Sequence, residues 1–301
     1  MKKQINLFLF LLLGVFMLGL VSCGNNKESD EATDDTTKTE TTEELVEGAI
    51  PFDFPITDMK AEVGDFVLVP SFNMWKSNLE QEDPTNQTYI FYAYTMSEIG
   101  DVQSTIEFTF DGEKEMPNSI IIPIPQNQTA QKGDIVLTWW QTGSGMQRAI
   151  VVDDSNPAQP KVLYLDLDYD NPAKDSESGK GIGQTVYELE ANSFVKLNDG
   201  WQQGNTIAVK DGDYLVSTQI VKVAGDKVLT IGFAGKMKVY DKADCKTIPL
   251  NPNVKAGDVV QAVFAGSFGE YTVTKVDASV GRVFVDQFGT ETAIPFGEVF
   301  K

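Results

Sequence analysis

Four short segments of this chain open alike, and that repetition constrains the fold more than any other feature. They are Ala61-Glu62-Val63-Gly64-Asp65-Phe66-Val67, Ala130-Gln131-Lys132-Gly133-Asp134-Ile135-Val136, Trp201-Gln202-Gln203-Gly204-Asn205-Thr206-Ile207 and Val254-Lys255-Ala256-Gly257-Asp258-Val259-Val260. Each puts an apolar residue three before a glycine, then Asp or Asn, then an apolar residue two further on. Glycine supplies the backbone angle a turn needs, and the Asx side chain accepts a local hydrogen bond. The copies recur at about 50–70 residues, a period that suits a small β-barrel.

Segments rich in Val, Ile, Thr, Tyr and Phe, bounded by Gly, Asp, Asn or Pro, follow each opener. They lie at 65–70, 89–94, 105–110, 119–124, 134–140, 148–152 and 162–168, then 206–209, 214–223, 227–233, 237–240, 258–264, 270–276, 282–285 and 292–295. This is strand and turn chemistry. No long stretch shows helical periodicity. The pattern predicts an all-β chain of tandem small barrels over residues 50–126, 127–198, 199–252 and 253–301, with longer loops at 74–88 and 169–184. The connections near 198–200 and 251–253 are short, which puts neighbouring units in contact.

Residues 1–22 have a basic start at Lys2 and Lys3 and an apolar run from 7 to 21. That is a secretory signal, and the run is too short for a spanning helix. Leu20-Val21-Ser22-Cys23-Gly24 resembles the lipobox of bacterial lipoproteins. The resemblance implies cleavage between Ser22 and Cys23, after which Cys23 is the N-terminal residue and carries acyl chains. One acyl chain anchors marginally, at roughly 0.8 kcal/mol per buried methylene, whereas two or more hold a protein on a membrane.

Residues 23–49 are threonine-rich and acidic, with almost no apolar residue before Leu45. Such a segment buries too little surface to offset its ordering entropy and reads as a disordered tether. It resembles the tails of Bacteroidetes-type surface lipoproteins, in which acids close to the cysteine direct export to the outer face of the outer membrane. Lys27-Glu28-Ser29-Asp30-Glu31 carries that resemblance, and Asp35-Thr36-Thr37 resembles that group's O-glycosylation acceptor.

The formal charge is -20. Loss of Lys2 and Lys3 with the leader makes it -22. So acidic a chain repels nucleic acid and anionic headgroups. It contains no histidine, which removes the usual neutral-pH base and zinc ligand. Cys23 and Cys245 are its two cysteines. With Cys23 acylated, Cys245 stands alone, and a packing role suits it better than nucleophilic chemistry. No catalytic motif, resident metal or cofactor is implied.

The last unit runs Val254-Lys255-Ala256-Gly257-Asp258-Val259-Val260-Gln261-Ala262-Val263-Phe264, then Gly269-Glu270-Tyr271-Thr272-Val273-Thr274-Lys275-Val276, then Val283-Phe284-Val285-Asp286-Gln287-Phe288-Gly289. It resembles a Tudor or agenet domain, a bent five-stranded barrel of the SH3-like kind. Val273 stands where that family often has Ala, and Gln287-Phe288 adds a residue to the Asp-Tyr-Gly corner. Tudor domains hold methylated lysine or arginine in an aromatic cage. The resemblance puts cage positions at Phe264 and Phe288, with Phe268 beside them. An exported protein meets no chromatin, so the ligand has to be argued from the site itself.

Other candidates are fewer. Asp166, Asp168, Asp170 and Glu177 have the acid spacing of a calcium loop, but Asn171 replaces the turn glycine and Lys174 a ligand. Alternation also puts Asp166 and Asp168 on one face of a strand end. Gly179-Lys180-Gly181-Ile182-Gly183 lacks the Lys-Ser/Thr of a phosphate loop and reads as a flexible loop. Trp75, Trp139 and Trp140 are of the residue type that anchors sugars and protein partners. The expected function is binding without turnover, at the cell envelope. A protein–protein module comes first, with a glycan or peptidoglycan binder as the alternative.

Overall fold

The glycine of each opener sits in the left-handed region, at φ +90° for Gly64, Gly133 and Gly204 and +86° for Gly257. That is the third position of a type II turn. In the computed structural model, which describes residues 48–141, 145–170 and 182–301, each turn is closed by a backbone hydrogen bond. Asp65 donates to Glu62 at 3.1 Å, Asp134 to Gln131 at 2.9 Å, Asn205 to Gln202 at 3.1 Å and Asp258 to Lys255 at 3.0 Å. In three copies the aspartate carboxylate also accepts from the first turn residue, Glu62, Gln131 or Lys255, at 2.8 Å. Asn205 instead donates its amide to the carbonyls of Asn198 at 2.7 Å and Gly200 at 2.9 Å.

Each turn then docks on the second strand of its own unit. The glycine amide donates to Met96, Val151, Ile220 or Val273, each at 2.8 Å. The amide of that same residue donates back to Asp65, Asp134, Asn205 or Asp258 at 2.8–2.9 Å. One residue later the strand bulges in all four units, at Met96/Glu98, Val151/Asp153, Ile220/Lys222 and Val273/Lys275. A bulge bends and twists a long strand, which lets it wrap its partners.

The first unit comprises β1 (Phe66–Pro70), β2 (Phe91–Glu98), β3 (Gln103–Phe108), β4 (Gly112–Pro117) and β5 (Ile122–Ile124). They pair in the order β4-β3-β2-β1-β5. The second has β6 (Ile135–Trp139), β7 (Met146–Asp153), β8 (Lys161–Tyr164), β9 (Val186–Glu188) and β10 (Val195–Lys196), and keeps that order as β9-β8-β7-β6-β10. The third has β11 (Thr206–Asp211), β12 (Tyr214–Ala224), β13 (Lys227–Gly232), β14 (Met237–Asp241) and β15 (Cys245–Thr247). The fourth has β16 (Val259–Phe264), β17 (Ser267–Asp277), β18 (Arg282–Gln287), β19 (Thr290–Pro295) and β20 (Val299–Phe300). Both repeat the order, and the bridge Val216↔Ser267 joins them into a ten-stranded sheet.

The chain is all-β, as the alternation predicts. The tandem small barrels expected from sequence are not confirmed, because no sheet closes on itself among the described residues. Among the described residues, the fourth strand of every unit bonds only the third, and the fifth bonds only the first. The fifth strands are two or three residues long, too short to bridge both edges. One helix was not predicted: α1 (Phe72–Leu79), where the hydroxyl of Ser71 caps the Met74 amide at 3.4 Å. Apolar residues of all four units, among them Val67, Ile106, Ile135, Leu163, Val221, Leu229, Val260 and Val283, share one cluster. The described residues form one compact unit. Among the described residues no helix is long and apolar enough to cross a membrane.

Candidate functional site

The sequence contains only two arginines, Arg148 and Arg282, and both are buried beneath one cleft. A buried charge needs a partner, since desolvation alone costs several kcal/mol. Arg148, on β7, is completely enclosed. Its Nη2 donates to Asp166 Oδ1 at 2.5 Å and to Glu298 Oε1 at 3.0 Å, and its Nη1 to the Phe296 carbonyl at 3.3 Å. Burial pulls the guanidinium down, but Asp166 and Glu298 outweigh it and hold Arg148 above its ordinary value. Glu298 goes the other way: burial raises its carboxyl above the usual range, against the pull of Arg148.

Arg282, on β18, donates Nη2 to the Tyr164 carbonyl at 2.9 Å and lies over the Tyr169 ring, 4.9 Å from its centroid. Burial lowers it to about 10, offset in part by Asp166 and Glu298. Its Nε has no hydrogen-bond partner among the described residues, nor has the hydroxyl of Thr218 on β12. Both residues line a cleft of about 530 Å³ where the segment after β8, the strand β12 and the β18–β19 side of the fourth unit meet. Asp166, Tyr169, Gln219 and Glu298 line it as well. The Gln219 amide donates to Asp166 at 3.3 Å. Phe233, 68% exposed, stands at the same cleft. Two arginines face four carboxylates at the cleft, Asp166, Asp168, Asp170 and Glu298, so its formal charge is two negative.

The acid series falls on this cleft. Asp166, Asp168 and Asp170 all line it. Asp168 accepts from the Asp170 amide at 3.1 Å, and Asp170 accepts from the Ala293 amide at 3.2 Å. Glu177 and residues 179–181 of the glycine-rich loop lie outside the described residues. Among those described, no three metal-ligating residues gather. The Asp166 carboxylate is engaged by Arg148, whose charge opposes a divalent cation there.

The aromatic candidates separate by burial. Trp75, on α1, is a core residue, 6.1 Å from Tyr89 in the main cluster. Trp139 is half-buried against Phe66 at 5.1 Å. Trp140 packs on a second cluster around Tyr164 and Phe194, with its indole nitrogen unpartnered among the described residues. Phe264 and Phe288 are 51% and 82% exposed and meet edge-on at 5.5 Å. Tyr271 joins them, 6.2 Å from Phe288. Phe268 is buried against Phe300. Cys245 is half-buried, and burial pushes its thiol up to about 11, which suits packing and not nucleophilic attack. Cys23 lies outside the described residues.

Sequence reasoning missed Arg148, Arg282, Glu298 and Tyr271. For the arginines a signal was there. Against twenty-two lysines two arginines are conspicuous, and each stands beside strand residues destined for the core. No protein-family model matches the chain, and no curated protein matches it.

Proposed function

We propose that this chain is an exported, lipid-anchored binding protein of the outer membrane that holds a glycan, without turnover, in the cleft between its second, third and fourth units. One observation carries the reading. Arg148 is ion-paired there with Asp166 and Glu298, and Arg282 Nε and the Thr218 hydroxyl are left without protein partners among the described residues. The donors and acceptors of the lining suit neutral hydroxyls, each of which donates and accepts, and its net negative charge disfavours anionic ligands. Tyr169 and Phe233 add apolar faces, and about 530 Å³ is the size of a small-ligand pocket. Anchoring rests on Cys23 and the sequence around it, and surface display on the acidic residues that follow.

The second reading, a protein partner, is favoured by the exposed group Phe264, Tyr271 and Phe288. Pull-down against purified envelope polysaccharide, peptidoglycan and envelope proteins separates the two. Thr218→Val should weaken glycan capture about tenfold, and Phe288→Ala should leave it unchanged. The reverse pattern supports the protein reading. Cys23→Ser should release the protein from membranes and abolish fatty-acid labelling, and unchanged labelling would contradict the anchor.

A further inference from the structure

The position that follows the bulge carries a charged residue in every unit: Glu98, Asp153, Lys222 and Lys275. Glu98 and Lys275 face solvent, and Asp153 is partly exposed. Lys222 is only 9% exposed, enclosed between the third unit and the first. The repeat does not require that burial, since the same position is served by exposed charges elsewhere.

The ammonium is poorly provided for. Its one hydrogen bond among the described residues goes to the Ile121 carbonyl at 3.3 Å. No carboxylate reaches it within ion-pair distance among the described residues. Burial first, and then the charge of Lys60, lower it to about 8. A lysine buried without an anion, beside a second lysine, is an unfavourable arrangement unless something negative joins it.

A pocket of about 380 Å³ opens on this amine, lined by Asp58, Lys60, Pro123, Trp201, Gln203 and Lys222. The two lysines and one aspartate leave a net charge of one positive. The Gln203 amide is already engaged with the Val221 carbonyl at 2.7 Å. Trp201 gives a flat apolar wall, and Lys242 stands 5.3 Å from its ring centroid, adding positive charge nearby. The overall charge of the chain is negative, but charges beyond about 8 Å are largely screened at physiological salt, so the local lysines decide. Phosphate sites favour forked arginines or nests of backbone amides, and this wall offers neither.

We propose that the pocket between the first and third units binds a carboxylate carried on a compact ring, with Lys222 and Lys60 as its cations and Trp201 as its stacking wall. A uronic acid sugar and an aromatic acid share that chemistry. The site is separate from the cleft over the arginines and stands or falls independently of the glycan reading.

The test titrates the protein with glucuronate, benzoate, glucose and inorganic phosphate, followed by calorimetry and by ligand-observed NMR. Glucuronate or benzoate should bind at least about tenfold more tightly than glucose or phosphate, and the tighter of the two names the source. Lys222→Met should cost about tenfold or more in that affinity. Lys60→Met, at an exposed position, should weaken binding with an unchanged melt, and it carries the test if the buried variant does not fold. Binding of neither ring acid, equal binding of phosphate or glucose, or affinity indifferent to both lysine variants overturns the proposal.

Discussion

Arg148 and Asp166 grip each other through both main chain and side chain. The Arg148 backbone amide donates to Asp166 Oδ2 at 2.7 Å, while its guanidinium donates to Oδ1 at 2.5 Å. One carboxylate therefore fixes the strand β7 and the charge at its centre together. Arg148→Met should destabilise the protein by about 3–5 kcal/mol, because Asp166 and Glu298 lose their cation in a buried setting. Adding Asp166→Asn and Glu298→Gln should recover part of the loss. Thermal melting checks this, at about 2–4 °C per kcal/mol for a chain of this size. A melt unmoved by Arg148→Met would remove the pair from any structural role.

The opener turns give a second prediction. A side chain at Gly257 would meet nothing within 4 Å, but its φ of +86° is strained for any L-residue. Gly257→Ala should cost about 1–2 kcal/mol from backbone conformation alone. Gly204→Ala should cost more, since its Cβ would come 2.8 Å from Leu137. Equal melts for the two variants would show that the Leu137 contact relaxes freely.

That prediction rests on the part of the fold most legible in the sequence. The Gly-Asx opener is a local device: its glycine angle and its carboxylate bond involve residues three apart, so a short motif specifies them. The long strands β12 and β17 were legible through their content of Val, Ile, Thr and Tyr. The fifth strands β10, β15 and β20 were not, because two or three residues carry no periodicity and are defined by the partner they pair with. The strand β4 reads Gly-Glu-Lys-Glu-Met-Pro, polar until its last turn, and owes its place to β3. At the cleft, the sequence marked Asp166, Asp168 and Asp170 for their spacing. It did not reveal that Arg148, eighteen residues before Asp166, is the partner, since tertiary packing alone brings them together.

Lys222 makes a pH prediction. Below pH 8 folded and unfolded chains both hold its proton. Between about 8 and the ordinary 10.5 the unfolded chain still binds it and the folded chain does not, so stability rises with pH across that window. The gain amounts to about 3 kcal/mol. Cys245, raised to about 11, acts oppositely as pH climbs from 9, but it is common to both proteins in a comparison with Lys222→Met. Denaturant unfolding of the two at pH 7 and pH 10.5 should show wild type gaining on the variant. A constant difference would mean the ammonium is solvated in the folded protein.

Burial separates the aromatic candidates. Trp75→Ala should cost about 3–5 kcal/mol, as core truncations do. Phe288→Ala should leave the melt within about 0.5 kcal/mol of wild type, its ring being 82% exposed. Parallel melts and partner pull-downs distinguish the roles. A Phe288 variant that melts early would make that ring structural.

The most direct test of the cleft as the ligand site is an amide NMR titration with oligosaccharides released from purified envelope polysaccharide and peptidoglycan. Binding in the cleft predicts shifts concentrated at residues 165–170, at Ser217, Thr218 and Gln219, and at Arg282, reaching saturation only at about tenfold higher ligand in Thr218→Val. Shifts confined to Phe264, Tyr271 and Phe288, or a spectrum that no oligosaccharide perturbs, would contradict it.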